Sequence, residues 1–235
     1  FKGWDYRKNK IFAGGAPQKE YTYPVSIWLP TQGQAPYPTI LFGHGINGSK
    51  SQAGMVAEFA ASIGIVTVAM DAVHHGQHPA GATGTTELDM ANFFGVNIFN
   101  LSINGRALRD NFRQSAWDKL QLIEALTNAP DIDGDGTDDI DINHIAYWGV
   151  SLGGIMGGEL MALSDDIGAA ILDVCGGRLT DIITQSDQFG LFISLLAPPE
   201  ATQGDIDRFF AMAQILADRG DPANFAPNIL EKRLS

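Results

Sequence analysis

The chain is short of cysteine and of positive charge, and it lacks long apolar runs. A single cysteine among 235 residues, Cys175, allows no internal disulfide and so excludes a fold stapled by cross-links. At the end of an apolar run, Cys175 reads as a small buried residue. Lys and Arg number 15 against 27 Asp and Glu, a formal net charge of −12. Phosphate recognition needs a basic face, so nucleic acid is excluded as a partner. No apolar run approaches the roughly 18 residues of a membrane-spanning helix. One shortage is positional: all 5 histidines, at 44, 74, 75, 78 and 144, precede Ile145. What remains, 45% hydrophobic and 18% charged, suits one sizeable α/β domain over residues 1–235. The chain opens on Phe1 with neither methionine nor a signal pattern, and reads as a mature or trimmed product.

Periodicity gives the coarse order. Residues 1–24 read as an irregular lead-in, and Tyr23 to Leu29 alternates as a strand. Thr39 to Phe42 is a short apolar strand ending in Gly43-His44-Gly45-Ile46-Asn47-Gly48. Ser51 to Ile63 has Met55, Phe59 and Ala60 at helical spacing, closed by Gly64. Ile65 to Met70 is a further strand, ending at Asp71. Strands alternating with helices point to a parallel sheet with right-handed crossovers, whose ligands sit beyond the carboxyl ends of the strands. Leu108 to Leu126 is an amphipathic helix, with Arg106, Arg109 and Arg113 on a solvated or salt-bridged face. Ala169 to Val174 reads as another buried strand. Residues 178–235 show no clear strand and suit a helical cap.

The chemistry sits in Gly149-Val150-Ser151-Leu152-Gly153, entered from the apolar run Ile145 to Trp148. This is G-x-S-x-G in a strand–turn–helix setting. A serine hydroxyl is a weak nucleophile and must be held out where a base can reach it. The turn brings strand and helix close, so Gly149 and Gly153 flank the serine. The N–H of Leu152 opens the helix and points at a developing oxyanion. The Gly43–Gly48 loop supplies the matching donor, the N–H of Ile46, with Gly43 and Gly45 letting the backbone approach. His44 reads as a brace of that loop. His74, His75 and His78 suit a loop over the site's rim better than a metal site, since adjacent histidines diverge. Phe93, Phe94, Val96, Ile98, Phe99 and Leu101 form an apolar patch with two readings, core packing or a wall for an acyl chain.

An acidic turn, 131–141, precedes the nucleophile strand. Asp131, Asp133, Asp135 and Asp139 fall at positions 1, 3, 5 and 9 of a calcium loop, with Gly136 at position 6. Position 12 is Ile142, so the bidentate glutamate is missing. Structural Ca2+ and a bare acidic turn both remain open. The chemistry itself requires no cofactor.

Taken together, TILFGHG (39–45), RDNFRQSAWD (109–118), the acidic turn, GVSLGG (149–154) and AAILDVCGG (169–177) resemble the α/β-hydrolase superfamily, and within it bacterial extracellular or lipoprotein lipases and esterases. The resemblance covers roughly residues 23–180. It implies a mostly parallel sheet with helices on both faces, stopping before that fold's last strands. It also implies a secreted, periplasmic or surface location, Ser151 as nucleophile, and an ester or acyl-lipid substrate. In this superfamily the acid and then the histidine follow the serine, and no histidine does so here. Asp173 is an acid at an earlier strand end. Three explanations follow: a complementary C-terminal polypeptide carrying acid and His, a rearranged base from His74, His75 or His78, or a non-catalytic module that binds acyl ligands or serves structure.

Overall fold

The computed structural model describes residues 1–5, 16–100 and 102–234. The lead-in is not irregular: β1 (Lys2–Asp5) and β2 (Lys19–Thr22) pair antiparallel. They are clamped where buried Tyr23 meets Phe1, whose ammonium donates to the Tyr23 carbonyl. Residues 6–15 of that lead-in lie outside the described residues.

Strands β3 (Val25–Trp28), β4 (Tyr37–Gly43) and β5 (Val66–Met70) follow. A short hairpin, β6 (Val96–Asn97) with β7 (Ser102–Ile103), precedes the long β8 (Ile140–Val150) and β9 (Ile167–Asp173). Five strands form the central sheet in the order β3-β5-β4-β8-β9, with β3 antiparallel and the others parallel.

The period of two along each strand divides the core between the sheet's faces. Leu41, Val68 and Tyr147 point to one face, where α3 (Gly105–Asn128) contributes Leu122 and Ile123 and α4 (Leu152–Leu163) contributes Leu160. Phe42, Ala69 and Trp148 point to the other, under α1 (Gly54–Ser62). Alanines, not the larger residues, seat α1: Ala57 and Ala60 are buried while Met55 and Phe59 are 80% and 70% exposed. Small residues let helix and sheet approach, so of the three residues at helical spacing Ala60 packs inward while Met55 and Phe59 do not.

β9 also departs from expectation. Among the described residues it is an edge strand with one unpaired side, and Ile171, in register with Trp148, is 56% exposed. Full burial of an isoleucine is worth about 1.5–3 kcal/mol, and much of that is forgone because α1 does not extend over this half of the sheet.

Between β5 and α3 lies α2 (Thr86–Phe93), in a stretch whose sequence gave no helical signal. After β9 come α5 (Leu179–Gln185), α6 (Asp187–Leu196), α7 (Gln203–Ala217) and α8 (Ala226–Leu234), so the expected helical cap region is helical, with α7 against α3 and α8 against α4. α3 thus lies between sheet and helices and buries polar groups as well as apolar ones. Arg113 is among them, beside Asp110 rather than on a solvated face.

Glu159 of α4 faces Arg113 and Lys119 inside this layer, with Oε2 unpartnered. Burial pushes its carboxyl up to about 8 against the pull of those two cations. The unfolded chain releases this proton near 4.5, so stability falls as pH rises from there toward 8. We expect Glu159→Gln to remove that loss. The urea midpoint of the variant should gain on wild type between about pH 5 and about pH 8; an unchanged gap would refute the assignment.

Candidate active site

β8 delivers Ser151 at its carboxyl end, and α4 begins at the next residue. Ser151 has φ 52° and ψ −112°, a conformation that costs a non-glycine residue about 1–3 kcal/mol. The surroundings hold it there. Its N–H donates to the Asp173 carbonyl at 2.9 Å, and its own carbonyl accepts from Ile155 N–H at 2.9 Å. Gly153 N–H donates to the His44 carbonyl at 3.0 Å, joining the β4 loop to the start of α4. A methyl group on Gly153 would overlap the Gly43 carbonyl, and one on Gly149 would overlap the carbonyl of Gly153. Beneath them the buried Tyr147 hydroxyl donates to the Gly153 carbonyl at 2.7 Å.

Strain is not confined to the serine. Asn47, His74, Ser151 and Val174 are non-glycine residues at positive φ, and they follow β4, β5, β8 and β9 respectively. The carboxyl edge of the sheet is therefore where this backbone is least relaxed, as functional sites in such sheets tend to be.

Two backbone donors in the segments that follow β4 and β8 are unspent. Among the described residues, neither the Ile46 N–H nor the Leu152 N–H has an acceptor. Gly45, whose Cβ would sit 3.6 Å from the Ser151 Cβ, brings the loop past the serine. Gln52, which sequence reading had not singled out, fixes the loop by accepting Gly45 N–H at 2.9 Å. The only signal for it was its position at the start of the helix that follows.

His44 is buried with both ring nitrogens engaged. Nε2 accepts from Ala72 N–H at 2.9 Å, so Nδ1 carries the proton and donates to the Gly45 carbonyl at 2.8 Å. It ties the end of β4 to the end of β5. Burial and the neighbouring His75 ring hold its pKa down at about 3.

The other histidines do not line a rim together. His78 is buried in a pair with Asp118, Nε2 to Oδ2 at 3.1 Å, while its Nδ1 accepts from Ala80 N–H. Asp118 also accepts from Tyr23 and Gln114. His75 is buried between His44 and Phe93, its Nδ1 at 2.9 Å from the Val73 carbonyl and its Nε2 unpartnered but sealed from solvent. His74 lies by Gly81, Nδ1 2.8 Å from its carbonyl. His144 pairs with Asp141 at the start of β8, roughly 20 Å from Ser151 at 3.3 Å per strand residue. Among the described residues no side chain is hydrogen-bonded to the Ser151 hydroxyl.

Asp71, at the end of β5, organises the histidine loop. Burial alone would raise its carboxyl, but N–H groups of Gln77 and Lys50 and the Lys50 ammonium, 3.0 Å away, hold it below the ordinary range.

At the opposite end of β8 the acidic turn gathers carboxylate oxygens of Asp131, Asp133 and Asp139 within 4.8 Å of one another, without Asp135. Asp139 Oδ2 accepts N–H bonds from Ile132 and Asp133, and the Asp139 carbonyl accepts from Tyr37 N–H, which fixes the turn to the starts of β4 and β8.

No protein-family model matches the chain, and no curated protein matches it. Solved structures do. Acetyl xylan esterase 1 from Thermoanaerobacterium sp. superposes with a TM-score of 0.54 at 18% identity, over 87% of this chain and 60% of that one. Pyrococcus horikoshii acylaminoacyl peptidase gives 0.53 at 18% identity, over 90% and 28%. Est1E from Butyrivibrio proteoclasticus, with ferulic acid bound, gives 0.51 at 17% identity, over 82% and 66%. The chain has the α/β-hydrolase fold, and it spans less than two thirds of each of these proteins.

His44 generates a prediction in acid. Its unfolded form takes up a proton near 6.5 and its folded form only near 3, so its contribution to stability is lost progressively as pH falls through that interval. His44→Ala orphans the Ala72 N–H and should cost roughly 1–3 kcal/mol at neutral pH. The gap in urea midpoint between wild type and variant should then narrow at about pH 4; a gap that widens in acid would show that the imidazole is charged in the fold.

Proposed function

We propose that the protein is a serine hydrolase that cleaves carboxylic esters through an acyl-Ser151 intermediate. The observation that carries this reading is the strained Ser151 at the head of α4, beside two unspent N–H groups. The Ser151 hydroxyl attacks the ester carbonyl, and the Ile46 and Leu152 N–H groups receive the oxyanion. Collapse of that tetrahedral state expels the alcohol, and water then releases the acid. The esterases among the solved structures of like fold support the same reaction class.

The general base belongs to polypeptide laid along the free edge of β9, carrying an acid and a histidine. Three things support this. His44 and His78 have both ring nitrogens spent, His75 is sealed beneath the loop, and β9 leaves an unpaired edge next to exposed Ile171. A serine beside its oxyanion donors but without its base retains only residual reactivity. We therefore expect a fluorophosphonate to add once to the intact protein, slowly, faster with added imidazole, and not at all to Ser151→Ala. Intact mass reads the adduct, and it also reveals any accompanying second polypeptide. No adduct in the presence of imidazole would overturn the reading.

We also propose a structural Ca2+ on Asp131, Asp133 and Asp139. The donor set is all oxygen, as a hard cation requires, and its 4.8 Å span suits oxygens at about 2.4 Å from one ion. Bound there, the ion offsets repulsion among the carboxylates and holds the start of β8, far from the serine. Millimolar Ca2+ should raise the melting temperature of the wild type and leave Asp139→Asn unmoved. An equal rise in both would refute the site.

A further inference from the structure

The cavities of the molecule differ in their walls. One of about 530 Å3, between the β6–β7 hairpin and helices α5, α6 and α7, is apolar. Of the apolar patch read from sequence, Phe94 and Val96 line it, Phe93 is core, Ile98 and Phe99 face outward, and Leu101 lies outside the described residues. None of its described lining residues belongs to the elbow or to the Gly43–Gly48 loop.

A polar cavity of about 400 Å3 lies instead at the carboxyl edge of the sheet, beyond β4 and β5. Ligand pockets typically occupy about 300–1,000 Å3. Its rim is exposed and includes Asn47, Ser51, Gly76, Gly84 and Thr86. Its deepest members, His75 and Asp89, are 3% and 5% exposed. The loop that carries Ile46 forms one side: Asn47 and Gly48 line the cavity, as does Gln52, which accepts the Gly45 N–H.

Asp89 gives the cavity its character. It sits in the first turn of α2, where Oδ1 accepts from Thr83 N–H at 2.7 Å and Oδ2 from Gly84 N–H at 3.2 Å. Both donors are neutral, and no cation pairs with Asp89 among the described residues. A buried carboxylate without a counter-ion is costly, so a cation that reaches it from solvent is favoured there. His75 supplies no such charge. Burial holds its imidazole below the ordinary range, against the pull of the Val73 carbonyl and of Asp89, so the ring is neutral at pH 7. The other lining side chains are hydroxyls and amides, which leaves Asp89 as the one formal charge among the lining residues. A bare metal ion would leave most of this volume unfilled. An ammonium on a short hydroxylated carbon chain would meet the rim groups as well.

We propose that this cavity is a binding site for a small organic ammonium, whose N–H groups bond Asp89 while its hydroxyls meet the rim at Asn47, Ser51 and Thr86. The charge of the occupant offsets that of the one carboxylate in a wall shared with the loop that carries Ile46. The inference goes beyond the esterase reading, because no step of it involves Ser151.

The test reads binding alone. Ethanolamine, titrated into the isotope-labelled chain at neutral pH, should shift the amide resonances of Thr83 and Gly84 saturably at millimolar concentration. Ethylene glycol keeps the hydroxyl chemistry without the charge and should shift neither, and potassium chloride at equal concentration should not saturate them. Asp89→Asn should weaken ethanolamine binding by roughly tenfold or more. Should that variant not fold, Thr86→Lys keeps Asp89 and tethers an ammonium at the rim. It should weaken ethanolamine as much, while the neutral Thr86→Gln leaves the affinity unchanged. Equal shifts from ethylene glycol or from potassium overturn the inference. So does the absence of any saturable shift, or binding that neither Asp89→Asn nor Thr86→Lys diminishes. The esterase reading is decided separately, by the fluorophosphonate adduct.

Discussion

The end of β4 and the start of α4 meet backbone against backbone, and the rest of the site depends on that contact. Gly43 and Gly153 lie so close that neither tolerates a side chain: a Cβ on Gly43 would strike the Tyr147 hydroxyl, and one on Gly153 the Gly43 carbonyl. This closeness lets Gly153 N–H reach the His44 carbonyl and carries the following residues of the loop past Ser151. It also joins the loop that carries Ile46 to the helix that begins at Leu152.

Polar groups buried under the edge keep this geometry in place. His44 ties the ends of β4 and β5, Asp71 ties the helical turn at Lys50 to the loop at Gln77, and Asp118 anchors His78 from α3. Ser115 of α3 adds an acceptor for Val73 N–H. Each of these groups has its partners, so the arrangement is stiff rather than costly: a buried donor or acceptor is expensive only when unsatisfied. That stiffness is what sustains positive φ at four strand ends, since strain of this kind persists only where the surroundings over-determine it.

The elbow and the glycine loop were legible in the sequence because their determinants are local. A run of apolar residues, a serine between two glycines and small residues beyond specify the turn without reference to distant contacts. The long helix was legible for the same reason, with Arg109 and Arg113 taking the salt-bridged reading at Asp110, although its boundaries were not. What escaped depends on what lies opposite. Ala169 to Val174 has the composition of a buried strand, yet nothing in those residues says whether a further strand or helix covers them. Met55 and Phe59 have the right spacing for a buried face, but close approach to the sheet selects Ala57 and Ala60. Residues 86–93, TELDMANF, mix polar and apolar positions too evenly to announce α2. The histidines at 74–78 were grouped correctly by number and wrongly by place. Two of them turn inward because a backbone carbonyl and a carboxylate from α3 await them there.

The two ends of β8 divide the labour of the molecule. At its start, carboxylates crowd a turn whose N–H bonds to Asp131, Asp133 and Asp139 hold them together. At its finish, among the described residues, the Ile46 and Leu152 N–H groups are left without acceptors. An oxyanion is stabilised best where the donors are fixed and no competing anion stands nearby. Separating the acidic turn from the serine by the length of the strand therefore serves the chemistry proposed for Ser151 as much as the stability of the turn.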